Sequence, residues 1–266
     1  MDLGRFALIS GRVKNIRGLA GETGMSTVLR SLSAIFFSLA LAAHAADPGA
    51  KTKVLLITGE DVSAHNWAET TAATREVLDA AGKFEVTVVE NLAPLESAEQ
   101  LAKYDVIFLN RCHRSATPGE QAKANLLEFV KSGKGLVVQH LASASFADWP
   151  EFRKMVGRYW VFKQSGHGPR SPFQVHVADK EHPVTKGVAD FETDDELYAK
   201  LQGDEPVTVL ATSDSDWSKR TEPMVMVKEY GKGRVFNHTF GHDGKAVKIP
   251  GVAQVIVQGT LWAAGR

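Results

Sequence analysis

The chain carries the apolar run Lys53-Val54-Leu55-Leu56-Ile57-Thr58, which ends at Gly59. An uninterrupted run of this length, bounded by a glycine, is typical of a strand that is buried on both faces. Helical periodicity follows over residues 66–81 and stops at Gly82, and a second strand is predicted at 84–89. This alternation of strand and helix indicates a parallel sheet that is covered by helices on both faces.

The same alternation continues over the next fifty residues. A third strand is predicted at 104–110 and a fourth at 134–140. Between them, residues 118–132 are predicted to form a helix with Thr117 as its N-cap and Pro118 in its first position. The first half of the domain is therefore predicted to contain four buried strands in one parallel sheet.

After residue 160 the predicted strands become shorter. They fall at 173–177, 207–212, 223–230 and 234–239, and a closing helix is predicted at 251–263. The tripeptide Gly231-Lys232-Gly233 joins the last two strands in the manner of a hairpin turn. We therefore expect one mixed α/β sheet, mainly parallel, with some antiparallel strands late in the chain.

The N-terminal region has the pattern of a secretory signal peptide. An apolar run without charge occupies residues 31–43, Arg30 precedes it, and Ala43-His44-Ala45 provides a small-x-small cleavage site. A buried N-terminal helix is the alternative, but Asp47-Pro48-Gly49 follows at once and would end a helix.

This pattern predicts a division of the chain into two parts. Residues 1–46 would be an N-terminal extension and signal peptide, with Met25 as the biological start and cleavage near Ala45. Residues 47–266 would be the folded domain, in the periplasm or secreted.

Composition excludes several classes of protein. The 266 residues are 44% hydrophobic and 23% charged, which is typical of a globular chain and excludes disorder, collagen and a coiled-coil rod. Lys and Arg (31) equal Asp and Glu (31), so there is no basic footprint for nucleic acid. A single cysteine, Cys112, excludes a disulfide framework and a cysteine-rich metal site. No segment is long and apolar enough for a stable membrane span.

Five histidines follow predicted strands of the sheet. His65 follows the first strand, His113 the third and His140 the fourth, and His238 and His242 lie at the end of the last. Because open parallel sheets bind ligands beyond the carboxyl ends of their strands, we expect these imidazoles to converge on one edge. Imidazole suits both proton transfer near neutral pH and metal binding. The alternative is that some of them hydrogen-bond loop backbone.

A run of acids forms a second candidate. Asp194-Asp195-Glu196 precedes Tyr198, and three adjacent carboxylates repel one another unless they face solvent, a cation or a polyhydroxylated ligand. One function we consider for this acidic run is that one of its carboxylates acts as a base beside a metal or a sugar hydroxyl. A solvated loop with Tyr198 packed beneath it is the alternative.

Other catalytic patterns are weak or missing. Ser143 and Ser145 follow the fourth strand without the glycines of a nucleophile elbow. Gly231-Lys232-Gly233-Arg234 lacks the spacing of a phosphate-binding loop, so no nucleotide cofactor is expected. No zinc motif of defined spacing is present, and a divalent metal stays one option.

The sequence resembles the ThuA-like (trehalose utilisation) family over about Lys53 to Gly265. The segments that carry the resemblance are Thr58-Gly59 with His65-Asn66-Trp67, Gly135 to His140, Trp149 to Gly157 with His167, His182-Pro183 through Gly187 to Asp195-Glu196-Leu197-Tyr198, and Gly231 to Phe236 leading into Gly241-His242-Asp243. This family belongs to the class I glutamine-amidotransferase-like superfamily. The resemblance therefore implies a flavodoxin-like three-layer α/β/α fold.

The resemblance also bears on chemistry. The amidotransferases of this superfamily use a cysteine nucleophile after a central strand, where this chain has His140-Leu141-Ala142, and Cys112 lies on a different connection. Glutaminase activity is therefore not expected. Relatives more often have small residues around this histidine, which affects the width of the pocket. The family context implies metabolism of sugars, including trehalose-like disaccharides and their 3-keto derivatives.

We therefore predict an exported acid–base enzyme of carbohydrate catabolism, an isomerase, a lyase or hydratase, or a hydrolase, and possible homo-oligomerisation. The candidate residues are His140, His242, Asp195 and Glu196 for catalysis, His65, Trp67, His113, Trp149, His167 and Tyr198 for substrate binding, and His238 and His242 for a divalent metal. The alternatives are a non-catalytic sugar-binding module of the same fold and a metal-independent hydrolase that uses Ser143 or Ser145.

Overall fold

The computed structural model describes residues 49–114 and 117–266. The extension and signal peptide predicted at residues 1–46 lie outside the described residues. The strands and helices are, in chain order, β1 (Thr52–Ile57), α1 (Trp67–Ala80), β2 (Phe84–Val89), α2 (Ala98–Leu101), β3 (Val106–Leu109), α3 (Glu120–Lys131), β4 (Gly135–Gln139), α4 (Pro150–Val156), β5 (Gly166–His167), β6 (Ser171–Val177), β7 (Phe191–Asp195), β8 (Tyr198–Ala199), β9 (Thr208–Ser215), β10 (Arg220–Tyr230), β11 (Gly233–His238), α5 (Gly244–Lys248) and α6 (Pro250–Ala263).

Nine of these strands form one mixed sheet in the order β2-β1-β3-β4-β11-β10-β9-β6-β7. The pairs from β2 to β11 are parallel, and those from β11 to β7 are antiparallel. The order β2-β1-β3-β4-β11 is that of flavodoxin, so the expected fold is confirmed. β5 and β8 form a separate antiparallel ribbon.

Helices cover both faces of the sheet because the strands present apolar side chains on both sides. In β1, Val54 and Leu56 pack in the layer that contains α1 and α6. Leu55 and Ile57 point the opposite way and pack in the layer of α3 and α4. Successive side chains of a strand alternate between faces, so a strand that is apolar throughout needs a helix on each side. The result is the three-layer arrangement that the resemblance implied.

The hairpin predicted at Gly231-Lys232-Gly233 is confirmed. Tyr230 pairs with Gly233 across a two-residue loop between β10 and β11. Gly231 has φ +62°, and a side chain there would collide with the backbone of Lys131. Glycine is therefore required at this turn both for its backbone conformation and for the close approach of α3.

Two details differ from the sequence prediction. The N-cap of α3 is Gly119 rather than Thr117, because the backbone at Gly119 is still extended and the helix begins one residue later. The acidic run is not simply a solvated loop either. Asp194 and Asp195 end β7, in which side chains alternate, so Asp194 is exposed while Asp195 is buried.

None of the helices in the described part of the chain has both the length and the apolar character that a bilayer crossing needs.

Candidate active site

The side chains of the candidate site come from the carboxyl edge of the parallel strands. In a flavodoxin-like sheet the strand order reverses between β1 and β3, and ligands bind beyond the strand ends at that point. His65 lies in the loop after β1, Arg111 two residues after the end of β3, His140 after β4 and His242 after β11. Glu196 joins them from the turn between β7 and β8.

Four imidazoles surround the carboxylate of Glu196. Its oxygens lie 3.2 Å from His242 Nδ1, 3.6 Å from His140 Nε2, 3.6 Å from His167 Nε2 and 3.8 Å from His65 Nε2. The side chain of Glu196 is only 12% exposed, so the carboxylate is largely removed from water. We call these five residues the Glu196 cluster. All five members were predicted as site residues, with His140, His242 and Glu196 as catalytic residues and His65 and His167 as substrate-binding residues.

Two of these imidazoles have their second nitrogen bound to a backbone carbonyl. His140 Nδ1 lies 2.6 Å from the carbonyl oxygen of Thr239, and His167 Nδ1 lies 2.6 Å from that of Gly168. A carbonyl oxygen can only accept, so the proton of each neutral ring is on Nδ1. The unprotonated Nε2 of each ring therefore faces Glu196.

His140 is held in an unusual backbone conformation. It directly follows β4 with φ +53°, in the left-handed region that residues other than glycine seldom adopt. Its ring is fully buried and stacks on Tyr198 with ring centroids 4.1 Å apart. The hydroxyl of Tyr198 lies 2.8 Å from His140 Nε2 and donates to it, since that nitrogen is unprotonated. Strained residues of this kind concentrate at functional sites.

A buried ion pair between Arg111 and Asp61 contacts the cluster through His65. This pair was not predicted from the sequence. Arg111 Nη1 lies 3.2 Å from Asp61 Oδ2, and Asp61 Oδ1 lies 3.1 Å from His65 Nδ1. Arg111 also donates from Nε to Thr70 Oγ1 and from Nη2 to the carbonyl of Gly241. The sequence feature that could have indicated this pair is a charged residue, Arg111, shortly after the wholly apolar strand β3. The pair links the loops that carry His65 and His242.

Asp195 holds backbone rather than facing the imidazoles. Its Oδ2 accepts from the backbone N–H of Gly241 at 2.7 Å, and its Oδ1 accepts from those of His242 at 3.1 Å and Glu196 at 2.8 Å. Burial raises the pKa of this carboxyl, although the nearby His140 imidazole and the three N–H donors act in the opposite direction. Asp195 therefore fixes the positions of two cluster residues.

Burial and charge act against each other within the cluster. Burial would raise the pKa of Glu196, but the imidazoles of His140, His242 and His65 outweigh it and lower that pKa below its ordinary value. Burial would lower the pKa of His65, but Asp61 and Glu196 raise it. The pKa of His140 is lowered because the ring is completely buried. Glu196 is thus an anion beside imidazoles of unequal basicity.

Two predicted substrate-binding residues, Trp149 and His113, lie apart from the cluster. Trp149 is 7% exposed and packs on Phe146 and Phe152 in the apolar layer of α3 and α4. His113 is buried and stacks on the same Phe146. Trp67 is the first residue of α1 and is half-buried. His167 and Tyr198, by contrast, lie in or against the cluster, with their rings 5.8 Å apart.

The groups with metal-binding geometry differ from those predicted. Ligand atoms of His65, His140, Glu196 and His242 all lie within 4.8 Å of one another. His238 is not among them. Its ring is fully buried in the core, 5.0 Å from the ring of Phe236. His242 therefore keeps the geometry expected of a ligand, whereas His238 does not, because its side chain is directed to the core face of β11.

His238 is instead a buried imidazole with both ring nitrogens unpartnered among the described residues. Burial lowers its pKa from 6.5 to about 3. Below pH 6.5 the unfolded chain therefore binds a proton that the folded chain does not, and stability falls as the pH is lowered toward 3.

We expect His238→Leu to raise the free energy of unfolding by about 1 kcal/mol at pH 7, because it removes two unsatisfied polar atoms. The gain should grow by about 2 kcal/mol at pH 5, where only the wild type loses stability by protonation of the unfolded imidazole. Urea unfolding at both pH values measures it. His176→Leu, on an exposed site, is the control. An equal gain at both pH values would contradict the assigned protonation state.

The alternative nucleophiles are all engaged or buried. Ser143 Oγ donates to the carbonyl of His140, and Ser145 Oγ accepts from the backbone N–H of His113. Cys112 is fully buried, and burial raises the pKa of its thiol to about 12. Neither serine contacts a base through its hydroxyl in these hydrogen bonds, and the thiol stays protonated at neutral pH.

Fold and site together define a flavodoxin-like α/β protein with a histidine–glutamate cluster beyond its central strands. Residues 53–263 match the family described as ThuA, trehalose utilisation, and the chain belongs to this family. The family gives the protein a carbohydrate-related role. A comparison with curated proteins found no match.

Solved structures share the fold. A protein described as ThuA-like from Parabacteroides merdae is 26% identical, with a TM-score of 0.71, over 80% of this chain and 90% of that one. A second, from Bacteroides uniformis, is 20% identical, with a TM-score of 0.63, over 80% of this chain and 91% of that one. A β-galactosidase from Bacillus circulans is 15% identical, with a TM-score of 0.54, over 81% of this chain but only 31% of the enzyme.

Proposed function

We propose that the protein is an acid–base enzyme that acts on a sugar or a 3-keto sugar derivative and lacks glutaminase activity. The observation that carries this proposal is the Glu196 cluster, in which one carboxylate lies 3.2–3.8 Å from four imidazoles. Family membership supports a carbohydrate substrate, since the family is described as trehalose utilisation.

The groups of the cluster suit proton transfer next to a ketone. In a 3-keto sugar the carbon beside the carbonyl has an acidified C–H bond. A base within about 3 Å removes this proton, the electron pair of the C–H bond moves toward the carbonyl, and a proton donated to the carbonyl oxygen completes an enediol. The enediol can return the proton to the other carbon or expel a leaving group on the neighbouring carbon. Isomerisation, elimination and the reverse hydration therefore share this first step.

Roles can be distributed among the residues by their contacts. Glu196 and the unprotonated nitrogens of the imidazoles are acceptors, whereas the Tyr198 hydroxyl is a donor. Asp195 takes no direct part in this proposal because its oxygens are occupied by backbone N–H groups. His140 stands where the amidotransferases of the superfamily have their cysteine, which supports the lack of glutaminase activity.

The proposal includes export to the periplasm or beyond the cell. The support is the apolar run at residues 31–43 with a small-x-small site before Ala46. Expression of the full chain in a Gram-negative host and N-terminal sequencing of the protein should give Ala46 as the first residue. A mature protein that retains residues 31–43 would contradict export.

Incubation of the purified protein with trehalose and with 3-keto-trehalose in D2O tests the chemistry. We expect deuterium to enter the carbons beside the ketone, followed by product, because enolisation exchanges these protons with solvent. Nuclear magnetic resonance follows both events. Without the protein, exchange should be slower by at least about 100-fold, the lower end of what one positioned base contributes.

The same experiment separates the alternatives. Saturable binding of the sugar without exchange or product would favour a non-catalytic sugar-binding module. Release of glucose without exchange beside the ketone would favour a hydrolase. Absence of both binding and turnover with these sugars and a panel of other 3-keto-glycosides would contradict the proposal.

A further inference from the structure

We propose that His65, His140, His242 and Glu196 bind one divalent first-row metal ion of the zinc type. The inference concerns the site of the proposed function and extends it, but metal binding can be measured without any turnover. It differs from the metal site predicted from sequence, which included His238.

The distances between the ligand atoms carry the inference. The separations of 3.6 Å and 3.8 Å between Glu196 and the Nε2 atoms of His140 and His65 exceed the 2.7–3.2 Å of an N–H···O hydrogen bond. Four ligands at about 2.0–2.2 Å around a tetrahedral zinc ion lie about 3.4 Å from one another. The observed separations are 3.2 Å from Oε1 of Glu196 to His242, and 3.6 Å and 3.8 Å from Oε2 to His140 and His65. Ligand atoms of the four groups all lie within 4.8 Å of one another. These atoms are therefore spaced to share an ion rather than to bond to each other.

Electrostatics point the same way. His140 Nε2, which accepts from the Tyr198 hydroxyl, also lies 3.6 Å from the carboxylate of Glu196 in a site shielded from water. One divalent cation between the groups makes every one of these contacts attractive.

The outer contacts of the imidazoles are those of metal ligands. A histidine that binds a metal through one nitrogen nearly always presents the other to a carboxylate, a carbonyl or water. Here His140 Nδ1 lies 2.6 Å from the Thr239 carbonyl, and His65 Nδ1 lies 3.1 Å from Asp61 Oδ1 as an ion pair without hydrogen-bond geometry. Both outer partners orient Nε2 toward the centre of the cluster.

His242 adds an independent observation. Its Nδ1 is buried and has no hydrogen-bond partner within residues 49–114 and 117–266, although Glu196 Oε1 is only 3.2 Å away. The short separation without hydrogen-bond geometry leaves a buried nitrogen available to a ligand. Buried polar atoms without partners are uncommon in folded proteins and call for an explanation such as an ion.

The donor set also indicates which ion fits. Three imidazoles and one carboxylate suit zinc and its neighbours, whereas magnesium prefers an octahedron of oxygens. Bound there, such an ion would supply a Lewis acid to a carbonyl oxygen that joins it as a fifth ligand. His167 would remain for proton transfer, since it is not among the four ligand groups. The Tyr198 hydroxyl, which donates to His140 Nε2, would become available as well once that nitrogen binds the ion instead.

The test is titration of the chelator-treated full chain with Zn2+, Co2+ and Mg2+ by calorimetry. We expect one Zn2+ per chain, visible absorption of tetrahedral type with Co2+, and binding of Mg2+ at least about 100-fold weaker than that of Zn2+. His242→Ala and Glu196→Gln should each weaken Zn2+ binding by at least about 100-fold. Asp61→Asn should weaken it by about 10–100-fold, because it removes an outer partner.

Two controls show whether a change in Zn2+ affinity comes from the loss of a ligand. His176→Ala, which removes an exposed histidine paired with Asp190, should leave Zn2+ binding unchanged. Circular dichroism verifies that each variant is folded. If one of the two ligand variants fails to fold, the other still tests the site. No saturable Zn2+ binding, Mg2+ binding tighter than Zn2+, or equal affinities in wild type and both folded ligand variants would overturn the inference.

Failure of this inference is distinguishable from failure of the proposed function. Deuterium exchange by a chain that binds no metal would overturn the metal site alone. Stoichiometric Zn2+ binding without exchange or turnover would overturn the acid–base proposal and leave the metal site in place.

Discussion

Glu196→Gln is expected to lower kcat/KM on the sugar substrate by about 10³-fold, which corresponds to about 4 kcal/mol of transition-state stabilisation. The substitution removes a charge and keeps the shape of the side chain. The effect should be this large because the carboxylate is common to all four imidazole contacts in the cluster. The expectation holds whether Glu196 accepts the proton or holds an ion.

Stability should respond differently from activity. The amide of Gln offers an N–H donor to the unprotonated Nε2 of His167, which faces an anion in the wild type. The free energy of unfolding should therefore change by less than about 1 kcal/mol, or rise. Glu192→Gln, an exposed carboxylate four residues earlier on β7, is the matched control and should keep full activity. Retention of more than a tenth of wild-type kcat/KM by Glu196→Gln would rule out a central role for this residue.

The parallel half of the fold was predictable because its strands are uniformly apolar. The run from Lys53 to Thr58 can be buried only between two layers of helices, which is the arrangement found in β1. β7 and β8 were not predicted, since Glu192 and Asp194 alternate with buried residues and give the segment a polar character. Glu196 lies in the turn between these two strands and Tyr198 at the start of β8, so the strands that were not predicted are those that position both residues in the site.

The position of a histidine after a strand predicted only in part which histidines lie in the site. His65, His140 and His242 converge, but His113 and His238 pack against phenylalanines. Sequence position places a residue at the edge of the sheet, whereas the local backbone decides which way the side chain points. His140 is an example of this local effect, because its backbone has a positive φ. No sequence pattern predicts a positive φ at a residue other than glycine.

Arg111→Met is expected to lower the free energy of unfolding by about 3–5 kcal/mol, the cost of breaking a buried ion pair from one side. Arg111 is fully buried, and its removal would leave Asp61 charged in a site where that carboxylate is 1% exposed. The carbonyl of Gly241 and the hydroxyl of Thr70 would lose their donors as well. Denaturant unfolding at pH 7 measures the loss.

Two companion variants assign this loss to the buried charge. Arg75→Met removes a surface pair with Asp79 and should change stability by less than about 0.5 kcal/mol. Adding Asp61→Asn to Arg111→Met removes the uncompensated charge, so the double variant should be more stable than the sum of the two single effects predicts. Additive losses would mean that the pair is not coupled. Because Arg111 also holds the carbonyl of Gly241, loosening of the loop that carries His242 should accompany the loss of stability and be seen as faster amide exchange there.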